Sequence, residues 1–210
     1  MHIYAFGSIC RGEVDSFSDV DMLAIVSGQD KRFNPKDYSI YSYERINELW
    51  KEGNPFAWHL FLESISIYSS DGIDYLRNLG KPSNYNSGLV DCEKFLEIFI
   101  SAKNSIEASV LTEIFDLSSV FLSIRNFATC FSLDYEIKPN FSRNSAHNLG
   151  VHSIPICDLT YQLLERARVL CTRGTGEILN ADEIKKVKSQ LHLIESWMRE
   201  KIEIIGYKNE

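Results

Sequence analysis

The residues best suited to chemistry lie near the start of the chain, in two short groups. Gly7 and Ser8 end an apolar run that begins at His2. A second apolar run begins with the sequence Ser-Asp-Val-Asp at residues 18–21. A glycine lets backbone amides approach phosphate oxygens closely, and carboxylates are ligands that Mg²⁺ prefers. The two groups together therefore predict a site for a nucleoside triphosphate and its metal.

A strand, a short helix and a second strand are needed to position these groups. His2–Phe6 is a short apolar run cut by glycine, which predicts a buried strand that ends in a sharp turn. Asp19 and Asp21 are two residues apart at the head of a run that continues to Val26, so both carboxylates point to one face of a strand. They can therefore share one metal site, and Arg11 adds positive charge nearby.

This stretch closely resembles the signature of the DNA polymerase beta-like nucleotidyltransferase superfamily. That superfamily includes antibiotic nucleotidyltransferases, minimal nucleotidyltransferase antitoxins and nucleotide second-messenger synthases. The resemblance implies that ATP or another nucleoside triphosphate is the substrate and that two aspartates are catalytic ligands of Mg²⁺, with two ions expected. The matching residues are Gly7, Ser8, Arg11 and Ser18 for the nucleotide, Asp19 and Asp21 for the metal, and Gly12.

In that family a third carboxylate on a later strand completes the metal site and helps to activate the acceptor hydroxyl. The next strand-like stretch, Tyr38–Tyr43, has no acidic residue inside it. Asp37 and Glu44 flank this stretch and Glu63 precedes the following one; Asp37 ranks first as a catalytic carboxylate, and an ordinary surface role is the alternative for each. A site with two carboxylates would lack a metal ligand and a proton acceptor, so reduced or lost activity is the alternative outcome.

Composition and charge limit the classes of partner. The chain has 210 residues, of which 44% are hydrophobic, and a formal net charge of −7, which argues against general binding to DNA. The first residues run straight into a predicted strand and no apolar run reaches membrane-spanning length, which predicts a cytoplasmic protein that does not contact a membrane. Five scattered cysteines without a Cys-x-x-Cys pair indicate reduced thiols rather than a zinc site.

The order of patterns along the chain predicts an α+β protein with two domains. Strands and helices alternate in the first part, so 1–79 is interpreted as a nucleotidyltransferase fold with a small mixed sheet. Residues 80–88 are dense in turn formers and are predicted to be a linker. Apolar residues then recur at helical spacing, so 89–210 is predicted to be an all-α bundle that binds the substrate or a partner.

Two helices at the start of the second half, and two or three after them, are predicted from apolar spacing and from their end signals. The last of them is expected to be a single long helix with Asn180 or Asp182 as its cap. Their predicted ranges are 95–106, 120–131, Leu159–Thr172 and Asp182–Ile205.

Two arginines of the helical half are candidates for a substrate cleft. Arg125 lies in the middle of an apolar helix, where an arginine is costly unless it is paired or faces a cleft, so it is predicted to face the groove between the domains. A structural pair inside the bundle is the alternative. Arg143 lies in the polar stretch 138–145, which is either a substrate-facing loop or a connector. Helical ribonuclease domains are often paired with minimal nucleotidyltransferases, but their spacing between arginine and histidine is absent here, because only three residues separate Arg143 from His147. Ribonuclease activity is therefore disfavoured.

Three functional hypotheses follow from the residues and the resemblance. The first is an enzyme that transfers a nucleoside monophosphate to a hydroxyl of a small molecule, a protein or an RNA end and releases pyrophosphate. The second is a nucleotide-binding regulatory protein that has lost turnover together with the third carboxylate. The third is an antitoxin-like component that acts on a toxin or within an antiviral defence system. A homodimer is left open.

Overall fold

The computed structural model describes residues 1–13, 20–28, 30–108, 111–135 and 138–208. Over these residues the protein is α+β, as predicted. The chain divides into two compact units, which we call the sheet unit, 1–86, and the helical unit, 87–210. The division lies inside the turn-rich stretch 80–88.

The sheet unit is built on a four-stranded mixed sheet with the strand order β3-β2-β1-β4. β1 is antiparallel to both of its neighbours, and β3 is parallel to β2. The first three strands lie within two residues of the positions predicted from the sequence, whereas the short helix α4 was not predicted. The elements of this unit are β1 (His2–Phe6), α1 (Ser8–Arg11), β2 (Asp21–Val26), β3 (Ser39–Ser42), α2 (Tyr43–Glu52), α3 (Pro55–Glu63), β4 (Ser64–Ser69) and α4 (Tyr75–Leu79).

Helices α2 and α3 form one hydrophobic core with the sheet. Alternate strand residues point to the same face, and Leu23 and Ile25 of β2 are fully buried in one cluster with Ile46 of α2 and Leu60 of α3. Ala24 and Val26, on the opposite face, belong to a smaller core with Phe33 from the connection between β2 and β3. Both faces of β2 are thus buried beyond its first residues, which explains its almost continuous apolar sequence.

Three consecutive residues end α2 and start α3. Gly53 adopts the left-handed conformation (φ 63°) that commonly ends a helix. The Asn54 side chain then accepts a hydrogen bond from the Phe56 amide at 2.8 Å, and Pro55 occupies the first helical position, where its missing N–H costs nothing. These three residue types are typical of a helix end followed at once by a helix start.

The helical unit is arranged around α6, which packs against α5, α7 and α9. The apolar residues predicted for the core of this helix, Val120, Phe121, Ile124, Phe127, Ala128 and Phe131, are all buried. By length and composition α6 would be able to cross a membrane, but 67% of its most apolar window is buried inside the protein, as in a core helix. The helices of this unit are α5 (Gly88–Ala108), α6 (Glu113–Asp134), α7 (Asp158–Arg173), α8 (Ala181–Lys188) and α9 (Leu191–Lys208).

The prediction of one long helix over Asp182–Ile205 is wrong, because α8 and α9 are separate. The hydroxyl of Ser189 donates to the Lys186 carbonyl at 2.7 Å, and the amide of Gln190 donates to Val187 at 2.9 Å in a tighter turn that ends α8. α8 packs on α7, whereas α9 packs on α5 and α6, so the two segments face different partners. The cap is Asn180, which forms a reciprocal capping box with Glu183.

Candidate active site

Gly7 and Asp21 come together where β1 ends and β2 begins. Phe6, the last residue of β1, pairs with Asp21, the first residue of β2. Gly7 follows with a φ of 77° and turns the chain into α1. A Cβ built on Gly7 would lie 2.5 Å from Oδ2 of Asp21. The carboxylate therefore lies directly against the backbone of the glycine.

Position 7 has two separate requirements for glycine. A φ of 77° lies in the region that residues with a side chain rarely adopt, and the space that a Cβ would need is occupied by the Asp21 carboxylate. The sequence suggested that the missing side chain lets a phosphate approach. The structure gives the missing side chain a further use, because it lets Asp21 lie close to the turn while remaining exposed to solvent.

An open cleft of ≈ 670 Å³ lies beside Asp21. β3 runs parallel to β2 with Leu23 opposite Ser39. Asp21 and Asp37 each lie two residues before this pair, and both line the cleft. The two carboxylates are exposed. The cleft is lined by Val20, Asp21, Met22, Pro35, Lys36, Asp37, Tyr38 and Ser39.

Lys36 is a residue of this cleft that sequence reasoning missed. A lysine between proline and aspartate in a polar turn resembles any solvated surface lysine, so the residue type gives no signal of a site. Its proximity to the cleft depends on the register of β3 against β2, which one sequence does not specify. The same register brings Asp37 to the cleft, although Asp37 lies before β3 rather than within it.

The other two candidates for the third carboxylate have different contacts. Glu44 is exposed in the first turn of α2, and hydrogen bonds from its own backbone amide and the Ser42 hydroxyl lower its pKa. These hydrogen bonds are typical of a helix N-terminus. Glu63 ends α3 and takes part in a cluster of charged side chains. Of the three candidates, Asp37 is the one that lines the cleft beside Asp21.

Arg11, His59 and Glu63 form a partly buried cluster of polar side chains. Nη1 of Arg11 donates to Oε2 of Glu63, and Nε2 of His59 lies 3.1 Å from the same oxygen. The Arg11 side chain is 18% exposed and that of Glu63 is 14% exposed. Burial by itself would raise the pKa of Glu63, but the hydrogen bond from His59 and the charge of Arg11 lower it.

The guanidinium of Arg11 is therefore already engaged by protein carboxylates. Its Nε also donates to Oε2 of Glu13 at 2.8 Å. Burial alone would lower the pKa of Arg11, but Glu13 and Glu63 raise it above its ordinary value, so the group stays charged. To contact a nucleotide, Arg11 would have to donate to it as well as to these two glutamates, or break its hydrogen bonds to them.

Part of the predicted metal site lies outside the described residues. Ser18 and Asp19 belong to the stretch 14–19, of which nothing is described, and Ser8 is half-buried at the start of α1. Among the residues that are described, no three of His, Cys, Asp and Glu are grouped as a metal site. Asp21 and Asp37 nevertheless supply hard oxygen ligands at one open cleft, which fits Mg²⁺ better than a softer metal.

The two arginines predicted for a substrate cleft have partners within the helical unit. Nη2 of Arg125 donates to the Phe141 carbonyl at 3.0 Å, and the Ser145 hydroxyl donates to the Arg125 carbonyl at 2.9 Å. These bonds attach the 138–145 stretch to α6. Nη1 of Arg143 donates to Glu165 at 3.3 Å. The contacts of Arg125 correspond to the structural alternative, with a backbone carbonyl as the partner instead of a carboxylate.

The chain matches none of the known protein-family models, and no curated protein sequence matches it. The function is therefore inferred from the chemistry of the cleft.

Proposed function

We propose that the protein is a metal-dependent nucleotidyltransferase, which transfers a nucleoside monophosphate from a nucleoside triphosphate to an acceptor hydroxyl. One observation carries the proposal: the Asp21 carboxylate lies against the backbone of Gly7 at the edge of an open cleft that Asp37 also lines. The sequence pattern predicts metal and phosphate chemistry for the same residues.

Asp21 and Asp37, together with Asp19 from the sequence pattern, are the residues that would hold Mg²⁺. Held by these carboxylates, the metal would supply positive charge that compensates the charge of the triphosphate and of the transfer step. Without a cation, two carboxylates at one cleft repel a triphosphate. Binding of the nucleotide is therefore expected to require a divalent metal.

The transfer step forms one bond to phosphorus and breaks another. The acceptor oxygen attacks the α-phosphorus, the bond from that phosphorus to the bridging oxygen breaks, and pyrophosphate leaves with the electron pair. Asp37 is the proposed acceptor for the hydroxyl proton. Its backbone amide donates to the Asn34 carbonyl at 2.9 Å, which fixes the position of the residue at the cleft.

Nucleotide binding and pyrophosphate release test the proposal together. The purified chain is titrated with each of the four common nucleoside triphosphates, with Mg²⁺ or with a chelator, by calorimetry. Pyrophosphate release is then measured with pooled small-molecule, protein and RNA acceptors. Metal-dependent binding that the joint replacement of Asp19 and Asp21 by Asn abolishes supports the site. Equal affinity with Mg²⁺ and with chelator would reject it.

A second candidate function is a nucleotide-binding regulatory protein without turnover. The observation that favours it is the position of Asp37, which lies in the turn before β3 while the strand itself carries no acidic residue. A carboxylate in a turn holds a metal less rigidly than one on a strand. Metal-dependent binding of a triphosphate without pyrophosphate release, with every acceptor tested, would favour this candidate over the enzyme.

A further inference from the structure

The cleft beside Asp21 carries both signs of charge. Asp21 and Asp37 contribute two carboxylates, and of the described residues that line the cleft the positive one is Lys36. A nucleoside triphosphate brings several negative charges, most of them on the two phosphates that leave as pyrophosphate. Metal ions held by the carboxylates compensate part of this charge, and an ammonium group at the same cleft compensates more.

The loop that carries Lys36 has an internally bonded backbone. The Asn34 side chain accepts a hydrogen bond from the Lys36 amide at 3.0 Å. The Asn34 carbonyl accepts from the amides of Asp37 and Tyr38 at 2.9 Å and 3.0 Å. Pro35 has no N–H. The amides from 35 to 38 are thus used or missing, so recognition of an anion by this loop depends on the Lys36 side chain.

Aromatic packing holds both ends of the same loop. Phe33 is buried with Ala24 and Val26 on the face of the sheet opposite the helices. Its ring packs edge-on against Tyr38, with the ring centroids 5.0 Å apart. A loop fixed in this way presents its side chains with less loss of conformational entropy on binding than a flexible loop would.

We propose that Lys36 binds the terminal phosphates of the nucleotide, those that leave as pyrophosphate. The assignment rests on the proposed function. Lys36 lines the same cleft as Asp21 and Asp37, the residues that would hold the metal, and the terminal phosphates carry most of the charge that an ammonium group there would compensate. Lysine is a common point-charge ligand for phosphate. Arg11, which the sequence suggested as a nucleotide contact, already donates to Glu13 and Glu63.

Calorimetry with three ligands tests the role of Lys36. ATP, inorganic pyrophosphate and AMP are each titrated in Mg²⁺ into the wild type, Lys36→Ala and Lys36→Arg. The matched control is Lys51→Ala, which removes the same charge from an exposed position in the last turn of α2. Thermal unfolding of each variant checks that the fold is retained.

The expected pattern depends on the number of phosphates. Lys36→Ala should weaken the binding of ATP and pyrophosphate by about tenfold or more, because a charge-assisted hydrogen bond is lost, and should leave AMP unchanged. Lys36→Arg should restore most of the affinity, and Lys51→Ala should match the wild type. An equal loss for AMP and ATP, or no loss for either, would overturn the assignment.

The failure of this assignment is distinguishable from the failure of the proposed function. If the wild type binds ATP with Mg²⁺ and Asp21→Asn does not, the cleft is a nucleotide site whatever Lys36→Ala does. Unchanged ATP binding by Lys36→Ala would then reject Lys36 alone. If the wild type binds neither ATP nor pyrophosphate in Mg²⁺, both the proposed function and the role of Lys36 are rejected.

Discussion

Two groups of charged side chains in the sheet unit differ in exposure and in their partners. Asp21 and Asp37 are exposed at an open cleft. Arg11, His59 and Glu63 are mostly buried and interact with one another. The first group lies at the open surface of the cleft, whereas Oε2 of Glu63 contacts both Arg11 and His59.

The difference separates carboxylates suited to ligand binding from one that stabilises the fold. A metal ligand needs lone pairs directed to a place that an ion can reach, which an exposed cleft provides. A partly buried carboxylate paired with a guanidinium gains stability from that contact, and removing one partner leaves the other charge without compensation. Substitutions at Asp21 should therefore affect binding, and substitutions at Glu63 should affect unfolding.

The largest effect is expected for Asp21→Asn. Loss of a metal-ligating charge should lower nucleotidyl transfer by about a thousandfold, which corresponds to several kcal/mol of transition-state stabilisation. The melting temperature should stay close to that of the wild type, because the side chain is exposed. Rates of pyrophosphate release and thermal unfolding measure the two effects. The control is Glu48→Gln, on the exposed surface of α2. A large drop in the melting temperature of Asp21→Asn would show that the Asp21 carboxylate stabilises the fold instead.

Gly7→Ala should produce the next largest effect, and Gly12→Ala is its matched control. Both positions have a positive φ, 77° and 72°, but a Cβ at position 12 has nothing within 4 Å. Each variant should lose about 1 kcal/mol to backbone strain. Gly7→Ala should also displace the Asp21 carboxylate and abolish metal-dependent binding of the triphosphate.

Calorimetry and urea unfolding on both glycine variants separate strain from displacement. If the two variants bind nucleotide equally well, the contact between position 7 and Asp21 is not needed for the site.

Glu63→Gln is expected to destabilise the fold by about 2 kcal/mol, because it removes the charge that Arg11 and His59 share. The pKa of Glu63 is lower in the folded protein than its ordinary 4.5. The carboxylate therefore adds stability above about pH 4.5, and this contribution is lost as the pH falls through the folded pKa. Urea unfolding between pH 7 and pH 3 should show the wild type and the variant converging in acid. A constant difference across that range would contradict the ionic role.

The smallest effect is expected for Arg125→Ala in the helical unit. Loss of the bond to the Phe141 carbonyl should cost about 1 kcal/mol of stability. The affinity for a triphosphate with Mg²⁺ should not change, because the hydrogen bonds of Arg125 attach the 138–145 stretch to α6. Unfolding and calorimetry measure the two quantities. Weaker nucleotide binding at unchanged stability would return Arg125 to the substrate cleft that its sequence position suggested.

The sequence predicted the sheet unit well because its signals are local. The apolar run cut by Gly7, the continuous apolar run of β2 and the sequence Gly53-Asn54-Pro55 each limit the backbone over a few residues, so the strands and helix boundaries could be derived. The break between α8 and α9 was missed for the opposite reason. Ser189 and Gln190 are tolerated inside helices, and the break reflects packing against different partners.

Only part of the candidate site could be predicted, because some of its contacts follow from local sequence and others do not. Gly7 and Asp21 are recognisable by residue type and spacing, and the ladder between β1 and β2 brings them together. The position of Lys36 at the cleft and the choice of Asp37 over Glu63 depend on strand register and on which side chains surround each carboxylate. Those relations are tertiary, and residue spacing does not encode them in one sequence.

The contact between Gly7 and Asp21 has a consequence for how the chain tolerates random mutation. In a library that samples every amino acid at every position, position 7 should reject all replacements, because each one adds at least a Cβ where Oδ2 of Asp21 lies. Position 12 shares the left-handed backbone but has open space around it, so it should accept Asn and Asp, which adopt that conformation more readily than other residues. Two glycines with nearly equal φ would thus differ in mutational tolerance because only one of them borders a carboxylate.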